Sequence, residues 1–229
     1  MPSSQQISKL EIMALALFDL DNTLLSGDSD FLWGCFLVDK GLVNKAAYDE
    51  ANQRFYAEYK KGTLDIFEFL AFSLQPLTQF SMAELSELQE EFMLKYILSL
   101  MTQKGIALIQ QHRDKGDTIV IITATNSFVT GPIAKAFKVD DLIATEPEII
   151  DGRYTGKVSG TPCFQQGKID CLQQWLQNTS HKLTNSTFYS DSHNDLSLLE
   201  CVTTPVAVDP DESLKATALE RNWEIRSFR

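Results

Sequence analysis

The sequence predicts an α/β fold, a doubly wound parallel sheet that carries a helical insertion. Three observations lead there. Short apolar, β-branched runs recur along the chain, and each ends in a polar loop. Helical patterns lie between those runs. One connection, from Ser26 to about Met101, holds helical patterns and almost no strand signal.

The first strand is Ala14–Phe18 (ALALF), whose length and flanks suit a buried, parallel-type strand. Thr118–Thr123 (TIVIIT) is β-branched throughout and reads as a second. Thr187–Ser190 and Pro205–Val208 read as two more. Strands alternating with helices predict a Rossmann-like, three-layer α/β/α core. Within the long connection, Asp28–Lys40 begins at an N-capping residue and stops at Gly41. Asn44–Lys61 places Ala47, Ala51, Phe55 and Tyr59 at a spacing of four. Asp65–Leu74 and Met82–Leu100 follow, separated at Pro76. That is too much helix for a simple crossover. Residues 26–100 are therefore predicted to form a helical cap domain, and 1–25 with 101–229 the core. Residues 1–12, which precede the MALALFDLD run, read as an N-terminal extension. Asp151-Gly152 is a hairpin turn signal.

Composition narrows the function. Apolar residues make up 44% of the 229, enough for a sizeable core. The net charge of −11 repels phosphate backbones and anionic membranes, so neither nucleic acid nor membrane is expected as a partner. A phosphate site must then be a local exception, built from a cation or from backbone N–H groups. Cys35, Cys163, Cys171 and Cys201 show no CxxC and no zinc spacing, and read as reduced, mostly buried thiols of a cytoplasmic protein. No signal peptide is legible, and no apolar run approaches the ~20 residues that span a bilayer.

Four short stretches carry candidate chemistry. Asp19-Leu20-Asp21-Asn22-Thr23 ends the first strand, where open α/β sheets bind ligands. Two carboxylates ~4 Å apart repel by roughly 4 kcal/mol at an effective dielectric of 20, so gathering them calls for a cation or a shared proton. The structural alternative is an Asx turn with a helix cap. Tyr189–Asp195 supplies Asp191 and Asp195, although Asn194 or Asp195 would also serve as a cap for a helix through Leu199. Thr123-Ala124-Thr125-Asn126 offers a hydroxyl and N–H groups at a helix N-terminus, an anion site or again a cap. Lys168 opens another helix, where a lone lysine is ordinarily solvated.

The order of these stretches is distinctive. Strand–DxDxT, helical insertion, strand–Thr, Lys, strand–DxxxD resembles the haloacid dehalogenase superfamily, closely its phosphoserine-phosphatase-like branch (subfamily IB) with a small helical C1-type cap. The resemblance runs from Met13 onward and implies a Mg²⁺-dependent phosphatase. It implies that Asp19 is the nucleophile and forms an aspartyl-phosphate, while Asp21 acts as general acid and then base. It implies Mg²⁺ held by Asp19, the Asp21 carbonyl and Asp191, with Asp195 binding a metal-bound water or orienting Lys168. Thr123, Lys168 and the N–H groups near Leu20 and Ala124 would receive the phosphoryl oxygens. The family gives no role to His193, and His112 and His181 read as surface residues.

The branch places an acidic residue shortly after the first motif to receive a substrate amine, and Asp28 stands there. It also uses a cap arginine for a substrate carboxylate. The matching stretch, Phe69–Leu74, has none, and Arg54 is the only arginine in the cap. The expected substrate is a small phosphorylated metabolite with an amine and no carboxylate, such as histidinol phosphate. Phosphoserine is the rival. Phe31, Trp33, Phe69 and Phe72 read either as an apolar cap surface or as ordinary cap core. The expected assembly is a monomer or homodimer. Two alternatives share the residues or the fold: a phosphotransferase to an acceptor alcohol, and a non-enzymatic regulatory module.

Overall fold

The computed structural model describes residues 14–229, so the expected extension at 1–12 lies outside the described residues. Among these, seven strands form one sheet in the order β4-β3-β2-β1-β5-β6-β7. They are β1 (Leu15–Phe18), β2 (Thr118–Asn126), β3 (Asp141–Ile150), β4 (Arg153–Ser159), β5 (Ser186–Ser190), β6 (Thr204–Val208) and β7 (Glu224–Arg226). All neighbours pair in parallel except β3 and β4, an antiparallel hairpin. Asp151 and Gly152 turn that hairpin with φ of 50° and 73°, as the Asp-Gly signal requires.

The four residues of β1 are buried on both faces, which accounts for the unbroken apolar run. Alternate side chains enter two different cores. Leu15 and Leu17 join Val120, Ile122 and Phe188 under α7 (Gln166–Gln177), α8 (Leu196–Leu199) and α9 (Glu212–Glu220). Ala16 and Phe18 join Ile119, Ile121 and Tyr189 against α5 (Gln103–Asp114) and α6 (Ser127–Phe137). Helices on both faces of a parallel sheet make the three layers the sequence predicts.

Between β1 and α5 lie α1 (Ser29–Asp39), α2 (Lys45–Lys61), α3 (Ile66–Leu74) and α4 (Met82–Phe92). Each starts on a side-chain cap, from Asp28, Asn44, Asp65 and Ser81. The chain enters and leaves this insertion side by side: Leu25 bridges Met101, and the Ser26 N–H donates to the Leu100 carbonyl at 2.8 Å. Trp33, Phe36, Leu74 and Phe92 belong to the same apolar core as Phe18 and Ile121. The insertion is thus seated on one face of the sheet through continuous packing.

Several expectations are corrected. The helix read as Met82–Leu100 leaves α-geometry after Phe92, passing through a widened turn (Met93–Ile97) and a tight one (Leu98–Leu100). The second strand runs three residues past Thr123, because the backbone rejoins β3 at Asn126 across an irregularity after Ile122. Strands β3 and β7 were not legible, since Glu and Pro interrupt the first and the second has three residues. Of the aromatic residues weighed between cap surface and cap core, Trp33 is core: it is 2% exposed and wedged among Phe36, Phe92 and Phe128. His112 is buried too: its ring meets Asp117 at 2.7 Å and the Tyr189 hydroxyl at 2.9 Å. It lies in the last turn of α5 on the face turned to the sheet. Of the four cysteines only Cys163 is buried, and Cys201 is exposed.

Candidate active site

Strands β1, β2 and β5 lie side by side, and parallel strands deliver their following loops to one edge of the sheet. Asp19 directly follows β1, Asp191 follows β5, and Lys168 stands in the first turn of α7. Lys168 is 3% exposed, and its Nζ donates to Asp19 Oδ1 and to Asp195, each at 2.7 Å. Asp195 also accepts from the Ser190 hydroxyl at 2.7 Å. Burial would lower the Lys168 pKa, but the two carboxylates outweigh it and hold the amine charged. The lysine that alone reads as solvated is the centre of a buried ion triad.

Burial raises the Asp19 carboxyl to about 7, against the pull of Lys168. Asp191 is pushed well above the carboxylate range by burial, then by repulsion from Asp19 and Asp195. Its Oδ1 accepts from the Thr23 hydroxyl at 3.1 Å, and its N–H donates back to Thr23 at 3.0 Å. Thr23, the last residue of DxDxT, therefore locks the first loop to the fourth. Asp21 accepts from the Ser29 N–H at 2.6 Å and from the Thr125 hydroxyl at 2.8 Å. Burial and then repulsion from Asp28 raise it to about 6.

Thr123 and Ala124 line the cleft beside Asp19, Asp21 and Lys168, and Asp28 lines it from the start of α1. Thr123 does so from within β2, the strand it was read to end, and Asn126 rather than Thr123 stands at the N-terminus of α6. Asp191 is not among the lining residues. The capping alternative is met by neither Asn194 nor Asp195: Ser192 caps the turn at His193–Asp195, and the Asp195 side chain makes no cap bond to α8. Asn194 lines the cleft; its Oδ1 accepts from Gln165 at 2.9 Å, and its buried Nδ2 has no partner. His193 pairs with Asp211 at 2.7 Å and does not line the cleft. His181, half-buried, stacks on Trp175.

Several of these partners were missed. Thr125 had a signal, since residues two apart in a strand face the same way. Thr23 and Asn194 lie inside motifs that were quoted, but nothing in their spacing shows what they touch. Phe31, Phe69 and Phe72 do line the cleft, together with Tyr48, Tyr59 and Phe164.

The donor set suits a hard divalent cation. Asp19 and Asp195 share the one Lys168 ammonium, Asp21 and Asp191 have no cation bonded to them among the described residues, all four are oxygen donors, and burial disfavours the charges of Asp19, Asp21 and Asp191. Among the described residues no three His, Cys, Asp or Glu side chains form a metal-sized cluster.

The profile of the haloacid dehalogenase-like hydrolases matches residues 16–200, which spans all four motifs. The chain belongs to that family. It is 43% identical over 219 residues to a histidinol-phosphatase of Neisseria meningitidis, covering 94% of this chain and 99% of that one. It is 31% identical over 223 residues to a phosphoserine phosphatase of Mycobacterium tuberculosis, covering 96% of this chain and 72% of the relative. A crystal structure of a Bordetella pertussis protein of unknown function superposes with a TM-score of 0.89 at 42% identity, over 95% of this chain and 99% of the other. No helix of the described residues is long and apolar enough to cross a membrane.

Proposed function

We propose that this haloacid dehalogenase-type phosphatase is Mg²⁺-dependent, works through an aspartyl-phosphate on Asp19, and prefers histidinol phosphate to phosphoserine. The observation that carries the mechanism is the triad Asp19–Lys168–Asp195, buried at the end of the strand where the first motif stands. Asp19 attacks phosphorus, and the bond from phosphorus to the leaving oxygen breaks. Asp21 donates its proton to that oxygen. Its carboxylate then takes a proton from water, which attacks the phosphorus and frees Asp19. Thr123, Lys168 and the free Asn194 amide hold the phosphoryl oxygens. Asp19, Asp191 and the Asp21 carbonyl would hold Mg²⁺, whose charge offsets the repulsion between an anionic nucleophile and an anionic substrate.

The substrate reading rests on the insertion side of the cleft. Arg54 pairs with Glu68 at 2.7 Å, lies over the Phe55 ring and does not line the cleft. A carboxylate would find no guanidinium there, whereas Asp28 offers a place for an amine. The Neisseria relative's name supports the same leaving group. We also propose residues 26–100 as a cap that closes over substrate, and a cytoplasmic location.

Phosphate release with Mg²⁺ tests this directly. kcat/KM for histidinol phosphate is expected to exceed that for phosphoserine by at least about tenfold, the worth of one charge-assisted contact. A reversed preference would remove the substrate reading. Asp19→Asn should drop turnover of p-nitrophenyl phosphate by more than about 10³-fold with an unchanged fold, and full activity in that variant would remove the mechanism.

A further inference from the structure

The insertion side of the cleft carries polar groups that none of these steps engages. Asp28 and Asp30 both line it. Asp28 already accepts the Phe31 N–H at 2.9 Å. Asp30 has one side-chain partner, the Asn126 amide, at the limiting distance of 3.5 Å. Its carboxyl is raised well above the usual range by burial, then by repulsion from Asp28 and Asp21, and no cation answers it. A second, independent group stands in the same cleft. Ser73, on α3, is 6% exposed, and its Oγ has no hydrogen-bond partner. A buried polar atom left unpaired is costly, and a cleft wall is where a ligand can satisfy it.

The same cleft carries an aromatic wall. The Tyr48 and Phe72 rings lie 4.6 Å apart, and both line the cleft. An aliphatic amine on Asp28 would leave Asp30, Ser73 and this wall unused.

We propose that Asp30 and Ser73 form a second nitrogen-recognition point, so that the preferred leaving alcohol carries two separate nitrogen groups, an aliphatic ammonium for Asp28 and a flat, nitrogen-bearing ring for Asp30. The ring lies against Tyr48 and Phe72 with a ring N–H donating to the Asp30 carboxylate. Ser73 bonds the other polar edge. The inference rests on the phosphatase reading and adds to it the residues that select the leaving group.

Three probes separate the contributions: histidinol phosphate, with amine and ring; O-phosphoethanolamine, with amine only; and p-nitrophenyl phosphate, with neither. Each variant is read as the ratio of its kcat/KM for a probe to its own kcat/KM for p-nitrophenyl phosphate. Asp30→Asn should lower the histidinol phosphate ratio at least tenfold, mainly through KM, and hold the phosphoethanolamine ratio within about twofold. Asp28→Asn should lower both ratios. Ser73→Ala, which keeps the cap's charges, should lower only the histidinol phosphate ratio, by about threefold or more. An unchanged histidinol phosphate ratio in both Asp30→Asn and Ser73→Ala overturns the proposal, as does an equal loss on both amine probes. Wild-type protein that cleaves p-nitrophenyl phosphate yet shows no gain for histidinol phosphate over phosphoethanolamine overturns it while leaving the phosphatase reading intact. Release of phosphate from none of the three overturns both.

Discussion

Lys168 is held between two buried carboxylates, and each of the three charges depends on the others. Replacing it with Met leaves Asp19 and Asp195 without a counter-charge. Breaking a buried pair this way costs about 3–5 kcal/mol. Lys168→Met should therefore melt well below wild type at pH 8 and lose about 10²–10³-fold in aryl phosphate turnover, since the phosphoryl charge also loses its donor. A variant that melts like wild type would show that the triad does not stabilise the fold. Asp21 makes a different demand. With its carboxyl near 6, it is mostly protonated below that pH and mostly ionised above it. A poor leaving group needs its proton, whereas p-nitrophenolate does not. The ratio of kcat/KM for an alkyl phosphate to that for p-nitrophenyl phosphate should thus fall as pH rises above about 6. A flat ratio from pH 5 to 8 would take the general-acid role from Asp21.

At the scale of elements, the site depends on one close approach. A Cβ on Gly167 would stand 2.0 Å from the Pro162 carbonyl, so the loop before α7 can pass only a glycine. Gly167→Ala should push the first turn of α7 outward and Lys168 with it. The expected result is a kcat about tenfold or more below wild type with KM little changed, because a misplacement near 1 Å weakens transition-state contacts first. Wild-type kcat in this variant would mean that the loop adjusts without moving the lysine. The same scale shows how the insertion reaches the chemistry. The Tyr59 hydroxyl on α2 lies 3.0 Å from Ser192 Oγ in the fourth loop, joining the helical side of the cleft to the stretch that carries Asp191 and Asp195.

For the whole molecule, the concentration of acid at one sheet edge links metal, proton and stability. The Asp19 carboxyl is near 7 in the folded chain against 3.8 for a free aspartate. Between about pH 4 and 7 the folded state therefore holds a proton that the unfolded state has released. Stability of the metal-free protein from this group falls as pH rises through that window. Mg²⁺ held as proposed would bind the ionised form and compete with that proton. The rise in Tm with saturating Mg²⁺ should be small at pH 5.5 and larger at pH 8. Equal rises at both pH values would argue against Asp19 as a ligand.

How much of this could be read in advance differs by kind of residue. The buried strand β1, the turn at Asp151-Gly152 and the helices α1 to α4 announce themselves through local pattern, because burial on both faces, left-handed backbone and capping each restrict residue type nearby. Asp19, Asp21, Thr123 and Lys168 were legible as a set, since the order of motifs along the chain implies one edge of one sheet. Which groups touch was not. Thr23 on Asp191, the buried His112 and the unpaired Ser73 all join residues far apart in sequence or depend on which face of a helix meets the sheet. Local propensity is blind to such pairings. They are decided when the sheet brings β1, β2 and β5 together and the insertion docks on it, since only then do burial and neighbouring charge set which side chain is satisfied and which is left for a ligand.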